Sequence, residues 1–328
     1  LNPEDFLILC SLLGDSVSYD SLQRLCGTLT YQSNTSLSKQ GLNARFNEKG
    51  AAFLKEVFFQ LLAKQKSFVT PIDPNRLFSR IRIMDATSFR LPNEQPNYPG
   101  SNGSGVKVQL EYEWYRGEFL HTSVHPESYS DRQAANDVEE NLLPGDLCLR
   151  DLGYYSAKNL MRINDKGAFF ITRVPTNTKF WRWSEHNGWL QIDPAKDAEE
   201  MSPKETLDYG YIRVGTDPRN RLMARVVLQK LTKGQQKMRE RSLQKKKQRG
   251  SATQSASQKS NIQILATNVT HEDLNAQELY PIYSLRWQVE LLFKTWKSLF
   301  EIDHVREMKQ DRFECHLYGS LIRILLST

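Results

Sequence analysis

Cysteine is scarce in this chain: Cys10, Cys26, Cys148 and Cys315 are scattered through 328 residues without CxxC spacing. That excludes a disulfide framework and a thiolate zinc site, and it fits a reducing cytoplasm. Long apolar runs are missing too. None approaches the roughly 18 residues of a membrane span, so no membrane partner is expected. The first residues lack the basic-then-apolar layout of a secretion signal. The chain opens at Leu1 rather than Met, and its apolar run from His316 to Leu326 continues almost to Thr328 without a capping signal, so a fragment of a longer protein is expected. Six histidines supply no ligand set: His121 and His125 have no further ligands at suitable spacing and are read as structural.

What is present is an ordinary globular composition, 39% hydrophobic and 25% charged, long enough for two or three substructures around one principal domain. The net charge of +6 is unevenly placed. Between Lys230 and Arg249 nine Lys or Arg stand against one acid, Glu240. Such a block is either a solvated charged helix or a phosphate-binding segment.

Residues 1–75 carry apolar positions at helical spacing, ended by Pro71 and Pro74. Within them Ser36 to Phe46 is a short helix that displays Lys39, Gln40, Asn43 and Arg45. Two arrangements fit: a helix-turn-helix reader of a DNA groove, or a small bundle packed on the core. From Arg80 the period changes to two. The spacing predicts strands over Ile81–Met84, Val106–Tyr112, Glu118–Ser123, Leu147–Arg150 and Ala168–Thr172, with Asp85 and Asp151 just past the first and fourth. Ser130 and Gln133 form a capping box for a helix to about Leu142, and Ser156 to Asp165 is another helix. The order strand-strand-strand-helix-strand-helix-strand, with acids at two strand ends, is the ribonuclease H-like plan. Beyond it come a hairpin with an Asn187-Gly188 turn, a β-rich stretch over Tyr209–Leu228, a polar loop over Gly250–Ser260, a strand over Ile262–Thr267 and one helix from about Asn275 to Phe300.

On that last helix Tyr283, Arg286, Glu290 and Lys297 fall within about 60° of one another. By itself this is equally the pattern of an exposed ion-paired helix. Taken with Asp85 and Asp151, it suits phosphodiester chemistry, where carboxylates hold paired magnesium ions that stabilise the attacking and leaving oxygens. Asp146, in a Pro-Gly-Asp turn before the fourth strand, is the main decoy for Asp151.

These residues resemble the DDE transposases of bacterial insertion sequences, in particular the insertion-sequence-four group. Ile83-Met84-Asp85-Ala86-Thr87 matches the first acid, and Gly145-Asp146-Leu147 through Asp151-Leu152-Gly153-Tyr154 the second. Tyr283, Arg286, Glu290 and Lys297 match the group's spacing on the third. The resemblance spans about Ser36 to Lys297, although Leu152 stands where many members have a basic residue. It implies that Asp85, Asp151 and Glu290 are catalytic and bind two Mg2+ ions, for which Mn2+ substitutes, while Tyr283, Arg286 and Lys297 hold DNA. It implies as partners the terminal inverted repeats and target DNA, a homodimer on paired ends, and a nucleoid-associated protein of the bacterial cytoplasm. Relatives carry a β insertion between the second and third acids, here 139 positions apart, and some flip a base onto an aromatic ring in it. Trp181, Trp183 and Trp189 are the candidates for that ring, against a plain core role. The expected organisation is an α/β ribonuclease H-like core (79–172 and 261–328) interrupted by a β-rich insertion (173–260) and preceded by a helical DNA-binding region (1–78). A metal-dependent DNA endonuclease and a domesticated, non-cleaving DNA-binding protein are the alternatives.

Overall fold

The computed structural model describes residues 1–13, 17–65, 76–91, 105–175, 177–216, 221–248, 261–306 and 308–327. The expected helix stop at Pro71 and Pro74, the polar loop over 250–260 and Thr328 lie outside them. The chain forms two compact units, one of Leu1–Pro71, Asp85–Tyr129 and Gln288–Thr328, the other of Ile72–Met84 and Ser130–Trp287.

In the first unit the helices α1 (Pro3–Ser11), α2 (Leu22–Ser33), α3 (Lys39–Asn43) and α4 (Glu48–Gln65) begin where the sequence supplies caps. Asn2, Ser21 and Ser38 accept the N–H groups of Asp5, Arg24 and Gly41 at 2.7, 3.2 and 3.0 Å. Each such cap contributes about 1 kcal/mol. The last helix, α11 (Gln310–Ser327), packs along α4 and α1 and buries Phe313, Leu317 and Leu321 among Leu9, Leu54 and Phe58. Helices α2 and α3 pack on one another, and α1 and α4 on α11. At five residues α3 is shorter than the expected 36–46 and than a groove-reading helix, because Gly41 and Asn43 interrupt it with poor helix formers. Gly319 lets α11 cross α1 closely: a Cβ there would stand 2.1 Å from the Cys10 carbonyl oxygen.

The same unit holds the outer part of β1 (Arg80–Arg90), then β2 (Gly105–Glu113) and β3 (Glu118–Pro126), an antiparallel pair. The Glu113 carboxylate accepts the Tyr115 and Arg116 N–H groups, and Gly117 closes the hairpin at φ +72°. Trp296 of α10 (Trp287–Ser298) packs on Phe119 of β3, with ring centroids 5.7 Å apart. His121 and His125 share Ser123, and His125 stacks on Tyr129 at 3.8 Å.

The second unit begins with the inner part of β1, which pairs in parallel with β4 (Asp146–Arg150); β4 pairs in parallel with β5 (Phe169–Arg173). The helices α5 (Asp131–Asp137) and α6 (Ala157–Asp165) flank β4 in sequence. Next to β5 lies β10 (Ile262–Thr267), followed by β9 (Leu222–Lys230), β8 (Thr206–Val214), β6 (Phe180–Ser184) and β7 (Gly188–Ile192), all antiparallel. The strands of the β-rich stretch therefore extend the same sheet through β10. Their inner faces share one core that includes Cys148, Ile163, Phe170, Ile212 and Val226. The short α7 (Pro194–Asp197) joins β7 to β8, and the basic α8 (Lys233–Gln248) follows β9.

Three expectations are corrected. Strand β1 does not stop before Asp85 but runs on to Arg90, with Thr87 and Phe89 buried and Ser88 and Arg90 exposed. Helix α5 ends at Asp137 rather than near Leu142, because the fully buried Val138 leaves helical geometry at ψ 1°; Gln133 donates to Asp137 instead of completing a capping box. The helix over 275–300 is two helices, α9 (Ala276–Ser284) and α10. At the joint the Leu285 and Arg286 N–H groups donate to the carbonyls three residues back, so the chain overwinds there.

Candidate functional site

In the second unit, β4 delivers two acids to opposite ends of one strand, and their surroundings separate their roles. Asp146, at its start, is fully buried and accepts from Arg80 Nε and Nη2, both at 2.6 Å, from Arg82 Nη1 at 3.0 Å and from the Leu143 N–H at 2.9 Å. It is an ion-pair hub. Asp151, just past the other end, is half-buried and begins a single 3-10 turn over Leu152–Tyr154, yet its carboxylate caps nothing in that turn.

Over this end of β4 lies Tyr283, the penultimate residue of α9. Its phenol donates to the Arg150 carbonyl at 3.4 Å and is hydrogen-bonded to the Arg286 side chain. Burial pushes the phenol up to about 12, with Asp151 adding to the rise and the Arg286 and Arg173 charges opposing it. Asp151, Tyr283 and Arg286 are thus brought together as the sequence suggested. The expectation of a single helix carrying all four signature residues is corrected: Tyr283 and Arg286 belong to α9 and its terminal turn, and Glu290 and Lys297 to α10.

The start of α9 is fixed by residues the sequence reading passed over. Arg225 of β9, almost fully buried, grips Asp208 through Nε and Nη2 at 2.9 and 2.6 Å. Its Nη1 donates to the Thr270 and Leu274 carbonyls at 3.0 and 2.6 Å. Asn275 and Glu278 then close a capping box. The signal for this clamp was a lone arginine inside an otherwise apolar strand. Arg173 was missed as well; it ends β5 beside β4, just past whose end Asp151 stands.

In the first unit, Asp85 sits within β1 and accepts its neighbour Ala86's N–H at 2.8 Å. Glu290 is half-buried on α10 beside the buried Val289 and Phe293. Lys297, two turns on, donates to the Ser88 carbonyl at 3.0 Å and so ties α10 to the strand that carries Asp85. Lys39 and Arg45 are exposed on the helical bundle.

The tryptophans lie on one face of the β6–β7 hairpin in the second unit. Trp183 is opposite Trp189, with ring centroids 5.4 Å apart, and is 58% exposed. Arg213 covers Trp189 at 4.0 Å and Arg221 covers Trp181 at 4.7 Å. Trp183 is the ring of the three that presents most surface.

A carboxylate beside a tyrosine–arginine pair at the end of parallel strands is the equipment of an enzyme acting on phosphate esters. Residues 76–326 match the family model described as the transposase DDE domain, and the chain belongs to that family. It is 37% identical to the transposase for insertion sequence element IS231F of Bacillus thuringiensis subsp. israelensis, over 98% of this chain and 72% of that one. The transposase for IS1151 of Clostridium perfringens is 31% identical, over 100% of this chain and 73% of that one. These relatives agree with the insertion-sequence-four grouping, and the chain is an insertion-sequence transposase. In fold it is similar to the piggyBac transposase of a synaptic complex with hairpin DNA, at a TM-score of 0.50 and 10% identity, covering 98% of this chain and 63% of that one. DDE transposases use divalent metal ions. Among the described residues no helix is long and apolar enough to cross a membrane.

Proposed function

We propose that this transposase binds the terminal inverted repeats of its insertion sequence, cuts the DNA by water attack and joins the freed 3′-hydroxyl to target DNA, with Asp85, Asp151 and Glu290 as its catalytic acids. The observation that carries the reading is the Asp151 carboxylate: it ends a parallel strand, caps no turn, and lies in electrostatic reach of the Tyr283–Arg286 pair. The element order over 80–173 supports a ribonuclease H-like core, with 261–328 as its second part, 173–260 as a β-rich insertion and 1–78 as a helical DNA-binding region.

The donor set fits two Mg2+ ions, with Mn2+ as a substitute, since three carboxylates offer the hard oxygen ligands such ions take. Among the described residues no group of three or more His, Cys, Asp or Glu side chains is already gathered closely enough to hold an ion. When bound, paired ions stabilise charge on the attacking and leaving oxygens of a phosphodiester. The chain's own side chains do the rest. Arg286 grips a phosphate through its planar fork, and Lys297 exchanges the Ser88 carbonyl for a second phosphate as a point charge. Tyr283, held neutral by burial, donates a hydrogen bond without repelling the backbone. Lys39 and Arg45 contact the repeat from the bundle, and Trp183 stacks a displaced base. Strand transfer needs two ends, so the working form is a homodimer on paired ends, acting on nucleoid DNA in the cytoplasm.

The test combines the protein with labelled element ends, supercoiled target and Mg2+ or Mn2+. Joined products are expected. Hydrolysis without joining would make it a nuclease, and binding without cleavage a non-cutting DNA-binding protein. Glu290→Gln should abolish cutting and spare binding; retained cutting removes Glu290 from the site.

A further inference from the structure

Lys233, Lys237 and Arg241 of α8 face solvent, but Arg239 turns inward and donates through Nη1 to the Ile262 carbonyl of β10. There it lines a small cleft, open to solvent, with Arg173, Pro175, Gln263 and Ile264. Among the described residues no acid lines this cleft. The Arg173 side chain makes no hydrogen bond or ion pair among the described residues, its backbone being paired with β10. Its charge is nevertheless felt at Arg239, at Tyr280 and at Tyr283. Burial first, and Arg173 second, lower Arg239 to about 10. Asp151 stands one strand over from Arg173, but no carboxylate lines the cleft itself, where the two guanidiniums repel each other and an anion between them relieves that repulsion.

The position of the cleft says which anion. Strands β4 and β5 are parallel with Arg150 opposite Thr172, so Asp151 and Arg173 leave the sheet from the same end, one register step further on. Neighbouring strands lie about 4.8 Å apart. A polynucleotide strand held at Tyr283 and Arg286 therefore passes the cleft within a nucleotide or two. We propose that Arg173 and Arg239 form a second phosphate seat, which grips the DNA backbone beside the phosphate at Arg286 and leads the strand toward basic helix α8. The seat rests on the reading of the chain as a DNA transposase; the residues themselves are assigned by the cleft. It is a binding site, and neither arginine touches the reacting atoms.

The test is the salt dependence of binding, by anisotropy of a labelled element-end duplex with the full chain, without divalent ions, across a range of KCl concentrations. Each neutralised phosphate contributes about 0.9 to the slope of log affinity against log salt. The double variant Arg173→Gln/Arg239→Gln should lose about that much slope and bind roughly tenfold more weakly at low salt. Arg239→Gln also removes the bond to the Ile262 carbonyl, so Arg173→Gln alone, which removes no hydrogen bond among the described residues, is measured beside it and should show the same loss of slope. Arg173→Lys should restore the slope. If the wild-type protein binds and Arg173→Gln shows the same slope, the seat is overturned while the transposase reading stays intact. A wild-type protein that binds no element-end DNA overturns that reading, and DNA as the occupant with it.

Discussion

Asp146→Asn separates the two acids of β4 by what each one loses. Asp146 is fully buried under Arg80 and Arg82, and Arg82 is itself only 1% exposed. Removing the carboxylate charge leaves the Arg82 guanidinium in the interior without its partner, whereas Arg80, at 18% side-chain exposure, can partly return to water. Breaking a buried pair by removing one partner costs about 3–5 kcal/mol. Asparagine still offers one acceptor oxygen to the Leu143 N–H or to one arginine, which places the expected loss near the lower end, about 3 kcal/mol. Against a total stability of about 5–15 kcal/mol this is a large fraction. Urea unfolding followed by tryptophan fluorescence should show the midpoint falling with little change in slope. Asp151→Asn should behave in the opposite way, with an unchanged midpoint and no cutting. If Asp146→Asn keeps its midpoint and stops cutting while Asp151→Asn still cuts, the assignment of the second acid is wrong.

Gly319→Ala forces α11 away from α1, since its Cβ would meet backbone atoms of Cys10 rather than a side chain that could move. Overpacking of about 1–3 kcal/mol outweighs the roughly 1 kcal/mol that alanine gains over glycine in a helix, so a lower melting temperature is expected and an unchanged one refutes the close crossing. His316 of α11 is buried, and that burial lowers it to about 4. The neutral ring is therefore favoured in the folded state: its contribution is present above about pH 6.5 and is lost as pH falls toward 4, up to about 3 kcal/mol. Ring signals of His316 that titrate near pH 6.5 by NMR would refute this. Trp183→Ala should leave stability nearly unchanged, because the ring is mostly exposed. If that ring stacks a displaced base worth about 1–3 kcal/mol, hairpin formation slows by roughly 5- to 150-fold relative to the first nick. Equal slowing of both steps assigns Trp183 a structural role.

Much of this was legible in the sequence because it is local. The alternation of Val106–Tyr112, the Asn-Gly hairpin and the helical spacing of Ser156–Asp165 each need only a few neighbouring residues, and β2, β6–β7 and α6 formed where expected. The continuation of β1 past Asp85 was legible too, since Thr87 and Phe89 alternate with Ser88 and Arg90; the acid at position 85 hid it. The break between α9 and α10 was not. Helical periodicity carries through it almost unchanged, and only the overwound hydrogen bonds at Leu285 and Arg286 reveal it. The separation of Asp146 from Asp151 depended on Arg80 and Arg82, more than sixty residues away in the chain. Long-range ion pairs of that kind leave no local pattern. The Arg173–Arg239 cleft is invisible for the same reason.

The Arg225 clamp has a kinetic consequence. The loop before α9 is held by a buried guanidinium in addition to its exposed cap bonds, so opening it requires local unfolding of β8 and β9. Amide exchange over 270–278 should then be as slow as in those strands. A tyrosine–arginine pair mounted on such a support is ordered before any DNA arrives, and binding need not slow down to wait for it.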